Sequence, residues 1–432
     1  MRRILTDGKT WEKCHILQML EEQAKKEHLS FHTPGHKKKG YDITELAYSD
    51  NLSCPQGVIL RAEQDIAKIL GADVSFLLTD GSTSGVLSML YALKESGVRT
   101  IAVPVLSHKS FWNGCALLGL TPVSFETPTG VLPCRLTLTD VFDALSGADA
   151  LFLTSPDYYG NIADLAKIKR LCVSQGKPLI IDGAHGGHLR ANKDRYAGAY
   201  ADMWVDGVHK SLPALTQGAV VSAKGRFVEP LQKAVDIFRT TSPSYPIMAS
   251  VEYAVKYPPN EALERAVTAW KQGKDYCYQN DDYTKLCLFV KDGLEAEKTA
   301  HSIGIYPEFA EPHLLCFYLS PVQTEEDLHS LQSLVERLNK MGLLIAQKEL
   351  EPVPAPLLLR KIDGMATEEI PLSEAEGRIC AQVCGLFPPC LPLLRKGEVI
   401  TREKIAVLTG AKNRFGVQNN NIKVVAKCKE SL

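Results

Sequence analysis

Short apolar runs with little polar alternation recur along the first half of the chain. They are VSFLLT (74–79), TIAVPV (100–105), ALFLT (150–154), PLIID (178–182), MWVD (203–206) and GAVVSA (218–223). Such runs mark strands buried on both faces. The intervals between them suit one helix each, so the pattern predicts βαβ units and a mostly parallel sheet covered by helices. Upstream, an amphipathic helix is expected around Trp11–Lys26, followed by an irregular basic segment, FHTPGHKKKG (31–40). Downstream, the Pro-rich turn TTSPSYP (240–246) closes this region, and a polar helical stretch is expected over residues 250–280. The remainder reads as a smaller α/β domain, with candidate strands at HLLCFYLS (313–320) and KIAVL (404–408) and a turn at LFPPCLPLL (386–394). The expected division is an N-terminal segment (1–40), a large domain (41–262) and a small C-terminal domain (263–432).

Charge narrows the range of partners. The 432 residues carry 49 Lys and Arg against 50 Asp and Glu, a net charge of -1. That balance gives no general attraction to nucleic acid or to an anionic membrane. The 12 cysteines are scattered and none forms a C-x-x-C pair. Free thiols in a reducing compartment are therefore expected. The N-terminal MRRILTDGKT has no apolar run after its two arginines, so no signal peptide is expected. No apolar stretch approaches the roughly 20 residues of a membrane span. These features point to a cytoplasmic protein.

Three segments carry chemistry, each at the end of an apolar run. D-G-S-T-S-G (80–85) places Gly81, Ser82, Thr83 and Ser84 at the start of a helix. Unpaired amides, the positive dipole end and hydroxyls there suit a phosphate, although a simple Ser/Thr helix cap has the same appearance. In PLIIDGAHGGHL (178–189), Asp182 closes a strand at the end where open α/β sheets bind ligands. A carboxylate there can pair with a protonated pyridine nitrogen, and Gly183 and Ala184 leave room for a flat ring. His185 and His188 stand at i, i+3 but have no third ligand in view, so no metal is expected. In DMWVDGVHKSLPALTQGAV (202–220), Lys210 lies among small and apolar residues beside His209. A poorly solvated lysine has a lowered pKa and an amine free to form an imine. Together the three suggest a pyridoxal phosphate site: a phosphate cradle, an acid for a ring nitrogen and an imine lysine.

At these residues the chain resembles the bacterial ornithine/lysine/arginine decarboxylase family, in its short form. The resemblance begins at FHTPGHKKKG (31–40) and DITELAYSDNLSCPQGVILRAE (42–63). It continues through LSHKSF (106–111), TSPDYYG (154–160), DGAHGGHL (182–189) and HKSLPALTQGA (209–219). IPLSEAEGRICAQ (370–382) and FPPCLPLLRKGEVI (387–400) resemble the family's C-terminal signature.

The resemblance implies an aminotransferase-like fold (fold type I) with pyridoxal 5'-phosphate as cofactor. It implies decarboxylation of a basic L-amino acid (arginine, lysine or ornithine). Lys210 would be the imine lysine, Asp182 the partner of the ring nitrogen and His108 the residue stacked on the ring. Ser82 and Thr83 would hold the phosphate with Gly81, Ala184 and His185 would line the ring, and His209 would sit beside the imine. The 240–246 block is similar to one that reaches the site from a neighbouring subunit. It implies a homodimer with shared sites, to which Thr240, Thr241 and Ser242 contribute. Departures from the family pattern are Asp80, Gly183, Gly207 and Cys390; at Gly207 the change from Ser or Thr implies a lost phosphate contact. Glu368, Glu369 and Glu398 are candidate partners for the distal end of the substrate. Transamination or aldol cleavage on the same cofactor, or an inactive binding homologue, are the alternatives.

Overall fold

All six apolar runs form strands, in a computed structural model that describes residues 5–126, 131–133, 135–350, 362, 365–386, 392–411 and 413–426. They are β1 (Val74–Leu78), β2 (Thr100–Pro104), β4 (Ala150–Thr154), β5 (Leu179–Asp182), β6 (Met203–Asp206) and β7 (Ala219–Ala223). A seventh, β3 (Thr121–Phe125), completes the sheet, whose order is β1-β7-β6-β5-β4-β2-β3. The pairs β2–β3, β2–β4, β4–β5 and β5–β6 are parallel. Strand β7 runs antiparallel to both of its neighbours.

The continuous apolar runs arise because the sheet is covered on both sides. One face buries Leu77, Leu151, Leu179 and Ile181 in a layer shared with the helices α1 (His15–Ala24) and α2 (Val58–Leu70). The other buries Val103, Phe152, Ile180 and Val221 against α3 (Ser82–Glu95), α4 (Lys109–Leu118) and α5 (Val228–Phe238). At roughly 25 cal/mol per Å² of apolar surface, two such layers dominate the folding energy of this domain.

Four expectations need correction. The N-terminal helix is interrupted: Gly8–Trp11 is separate from α1. The break is set by buried Glu252, which accepts from the amides of His15 at 2.7 Å and Ile16 at 2.9 Å and so caps α1. The 250–280 stretch contains two helices, α6 (Tyr245–Lys256), largely buried, and α7 (Glu261–Lys271), parted at Pro258 and Pro259. Proline cannot continue the backbone hydrogen bonding of a helix interior. KIAVL is no strand; it lies in α8 (Arg402–Gly410), capped by Thr401, with Leu408 buried. The C-terminal part is also more divided than one α/β domain. Strands β8 (Lys285–Phe289), β9 (Phe309–Glu311) and β10 (Leu314–Tyr318) form an antiparallel sheet. Residues 367–425 contain two further small antiparallel sheets. Cys390 lies outside the described residues.

No helix among the described residues is long and apolar enough to cross a membrane. The described cysteines are free thiols.

Candidate active site

Strand order brings the three chemical segments together at the carboxyl ends of β5 and β6. Asp182 ends β5 and Asp206 ends β6; Lys210 follows one turn later in the short helix Val208–Ser211. Strand β7 then doubles back, and Gly81 N donates to Gln217 O at 2.9 Å. The phosphate-type loop is thereby fastened to the lysine loop. Gly81 has φ +81, a left-handed conformation that favours glycine. It opens α3 without any side-chain cap, leaving the amides of Ser82 and Thr83 to an external acceptor.

Lys210 Nζ lies 3.2 Å from His185 Nε2. Burial, with the positive charge of Lys210 and Lys285, holds the His185 imidazole well below its ordinary pKa. The ring is therefore neutral, with Nε2 hydrogen-bonded to Lys210. Its buried Nδ1 has no partner among the described residues. Tyr158 packs against His185, with ring centroids 4.7 Å apart, and its ring centroid lies 5.8 Å from Lys210 Nζ. Tyr318 meets the His185 ring edge-on at 5.5 Å and donates to the carbonyl of Tyr158 at 2.9 Å.

Asp182 is buried, and its Oδ1 accepts from the amide of Ala184 at 3.1 Å. Burial raises its pKa, opposed by Lys210. No cation among the described residues forms an ion pair with it. His108 caps α4: the Ser110 amide donates to its Nδ1 at 3.2 Å. Burial, reinforced by Lys210 and Lys109, lowers the His108 pKa to about 3, so this ring is neutral and able to stack. His209 donates Nδ1–H to the carbonyl of Gly218 at 3.0 Å, and burial lowers its pKa as well.

Other expected residues sit differently. His188, considered only as a metal ligand beside His185, is buried 2.9 Å from Asp282. Thr240 donates its amide to Asp80 of its own chain at 3.3 Å, while Thr241 and Ser242 are exposed. The reading of Gly207 as a lost hydroxyl contact meets an obstacle. A Cβ there would stand 2.7 Å from the carbonyl oxygen of Ala184, so this chain has no room for a side chain. Glu398 is engaged by Arg395 at 2.9 Å and by Lys404, and Glu368 by Arg378 at 2.5 Å. Glu369 is exposed on its strand.

Sequence reasoning missed Tyr158, Tyr318 and Asp206. Asp206 accepts from Tyr196 Oη at 2.6 Å and Trp204 Nε1 at 3.1 Å, and burial pushes its carboxyl up to about 7. Its position at a strand end, 24 residues after Asp182, was the available signal.

These residues fit pyridoxal phosphate. The uncapped α3 suits the phosphate, the carboxylate of Asp182 suits a ring nitrogen, and the Nδ1 of His185, without a partner among the described residues, is left for a polar group of the ring. The fold and site define the aminotransferase-like class, fold type I. A structure of SPT with pyridoxal phosphate as internal aldimine matches with a TM-score of 0.57 at 14% identity, covering 77% of this chain and 85% of that one. Residues 40–333 match the model of the Orn/Lys/Arg decarboxylase major domain, and the chain belongs to that family. It is 27% identical to an arginine decarboxylase of Bacillus subtilis, over 90% of this chain and 91% of the relative. The lysine decarboxylase of Francisella novicida shares its fold, with a TM-score of 0.72 at 17% identity, covering 95% of this chain and 81% of that one.

Proposed function

We propose that this chain is a pyridoxal phosphate-dependent decarboxylase of a basic L-amino acid: arginine, lysine or ornithine. The observation that carries the reading is the convergence of Lys210, His185 and Asp182 at adjacent strand ends. Family membership supplies the substrate class. When bound, the cofactor supplies an aldehyde that takes up the amine and a ring that accepts the electron pair left by carbon dioxide.

The chain's own groups then have separable tasks. Lys210 would hold the cofactor through Nζ. Asp182 would keep a proton on the ring nitrogen, and that pyridinium would in turn restore its ionised form. His108 would stack on the ring; Ser82, Thr83 and the amides opening α3 would hold the phosphate. The neutral His209 has its one ring proton on Nδ1, committed to Gly218. That commitment favours Lys210 Nζ over His209 as the group that would return a proton to Cα.

The same reading includes a homodimer, with Thr241 and Ser242 facing the partner's site; their exposure here supports it. The free thiols support a reducing, cytoplasmic setting. The deciding experiment measures carbon dioxide release from arginine, lysine and ornithine side by side, with the purified protein and added cofactor. One of the three is expected to turn over. Keto acid formation without carbon dioxide would replace this reading with transamination.

A further inference from the structure

Strand order reverses once in the parallel part of the sheet. From β2 the chain moves outward to β3, then returns to β4 on the other side of β2. Ligands of open α/β sheets bind outside the carboxyl ends of the strands at such a switch point. Here a narrow crevice lies between Ser107, just beyond β2, and Thr154 and Asp157, at the end of β4.

Three features mark this crevice as built for a ligand. Ser107 Oγ and Thr154 Oγ1 are buried without a hydrogen-bond partner among the described residues, whereas buried hydroxyls are nearly always paired. Asp157 keeps some accessible surface and lines the crevice. Its Oδ1 accepts from the amides of Tyr159 at 2.9 Å and Asn161 at 2.8 Å, and its Oδ2 from Asn161 Nδ2 at 2.8 Å. Lone-pair capacity remains on Oδ2. No cation among the described residues pairs with this carboxylate, and burial pushes it up to about 6. An arriving cation would relieve that cost.

The crevice is also next to the chemistry. Thr154 is the register partner of Asp182, Ser107 precedes His108, and Asp157 precedes Tyr158, whose ring flanks Lys210. We propose that the crevice receives the cationic end of the substrate, with Asp157 as its carboxylate partner and the hydroxyls of Ser107 and Thr154 as further acceptors. The inference rests on the basic amino acid reading above and names the acidic group that reading requires.

The test compares wild type with Asp157→Asn on the basic amino acid that turns over, and on its uncharged analogue, citrulline or norleucine. Asp157→Asn is expected to raise KM for the charged substrate by about 30-fold, with kcat changed far less and the preference over the analogue lost. Calorimetric titration of agmatine, cadaverine and putrescine into the same proteins should show a matching loss of affinity for the best binder. A residue that only holds the turn would lower thermal stability and kcat without this KM split. A folded Asp157→Asn protein with unchanged KM and amine affinity overturns the proposal. If that variant does not fold, Ser107→Leu, which fills the crevice, takes its place, and undiminished amine binding overturns it. If wild type decarboxylates none of the three amino acids, the functional reading fails, and the amine titrations alone judge the crevice: weakened binding in the variants sustains it, and unchanged or absent binding rejects it.

Discussion

Lys210 Nζ lies 3.2 Å from Nε2 of His185, a neutral ring whose other nitrogen is buried without a partner among the described residues. An uncharged ring thus sits against the amine and orients it. Lys210→Ala should abolish the visible absorption band that appears when pyridoxal phosphate is added to wild type, and turnover should collapse with it. Near-normal carbon dioxide release by the purified variant would remove Lys210 from its role.

Asp182→Asn keeps the shape of the side chain and its acceptor for the Ala184 amide, but loses the charge that would hold a ring proton. The rate should fall on the order of 100-fold or more, with an unaltered circular dichroism spectrum. An unchanged rate would place Asp182 outside the chemistry.

Asp206 bears on stability. Its carboxyl rises from the ordinary 3.8 to about 7 in the fold, so between these values the native chain binds a proton that the unfolded chain has released. The stabilising contribution is complete below about pH 4 and is lost as pH rises through about 7. Asp206→Asn retains an acceptor for Tyr196 and Trp204 and cannot ionise. Urea unfolding of cofactor-free protein should show a smaller stability loss between pH 5 and pH 8 in the variant, which becomes the more stable protein at pH 8. Equal losses would show that another group, such as Glu63 with its own carboxyl near 7, governs the slope.

Gly207→Ser introduces the hydroxyl that the family resemblance leads one to expect, yet it forces a Cβ to 2.7 Å from the Ala184 carbonyl. The expected result is destabilisation by about 1–3 kcal/mol, seen as a lower thermal midpoint, with weaker cofactor affinity as the 183–185 turn shifts. A rise in both quantities would mean that the turn has room to move.

Shared sites can be tested by mixing two inactive chains, Lys210→Ala and a triple alanine variant at Thr240, Thr241 and Ser242. In a two-fold dimer each mixed pair contains one fully wild-type site, so activity should return. Inactive, verified heterodimers would show that each chain builds its site alone.

The large domain was legible because burial on both faces leaves an unbroken apolar run, and six of its seven strands announce themselves in that way. Strand β3 was not found: Thr121, Pro122 and Ser124 interrupt its apolar character, as befits the sheet edge. KIAVL was misread because a short apolar run carries no period of its own; Thr401 at the N-cap was the discriminating signal. Lys210 and Asp182 could be named as candidates from the order of their motifs, and His108 from the family resemblance. Tyr158, Asp157 and Asp206 could not, since an aromatic or acid beside a strand end becomes informative only when its neighbours across the sheet are known. Nor could the sequence foresee that His188 is buried against Asp282, 94 residues away.

The backward run of β7 has a consequence for how this scaffold can change. Its entry turn gives one carbonyl, that of Gly218, to both the amide and the ring of His209, and the neighbouring carbonyl of Gln217 to Gly81. The bonds from the amides of Gly81 and His209 that set the span between the lysine loop and the loop opening α3 are main-chain bonds. They do not depend on the side chains that line the crevice. Substitutions around Ser107, Thr154 and Asp157 can retune what enters the crevice while the two anchoring loops stay the same distance apart.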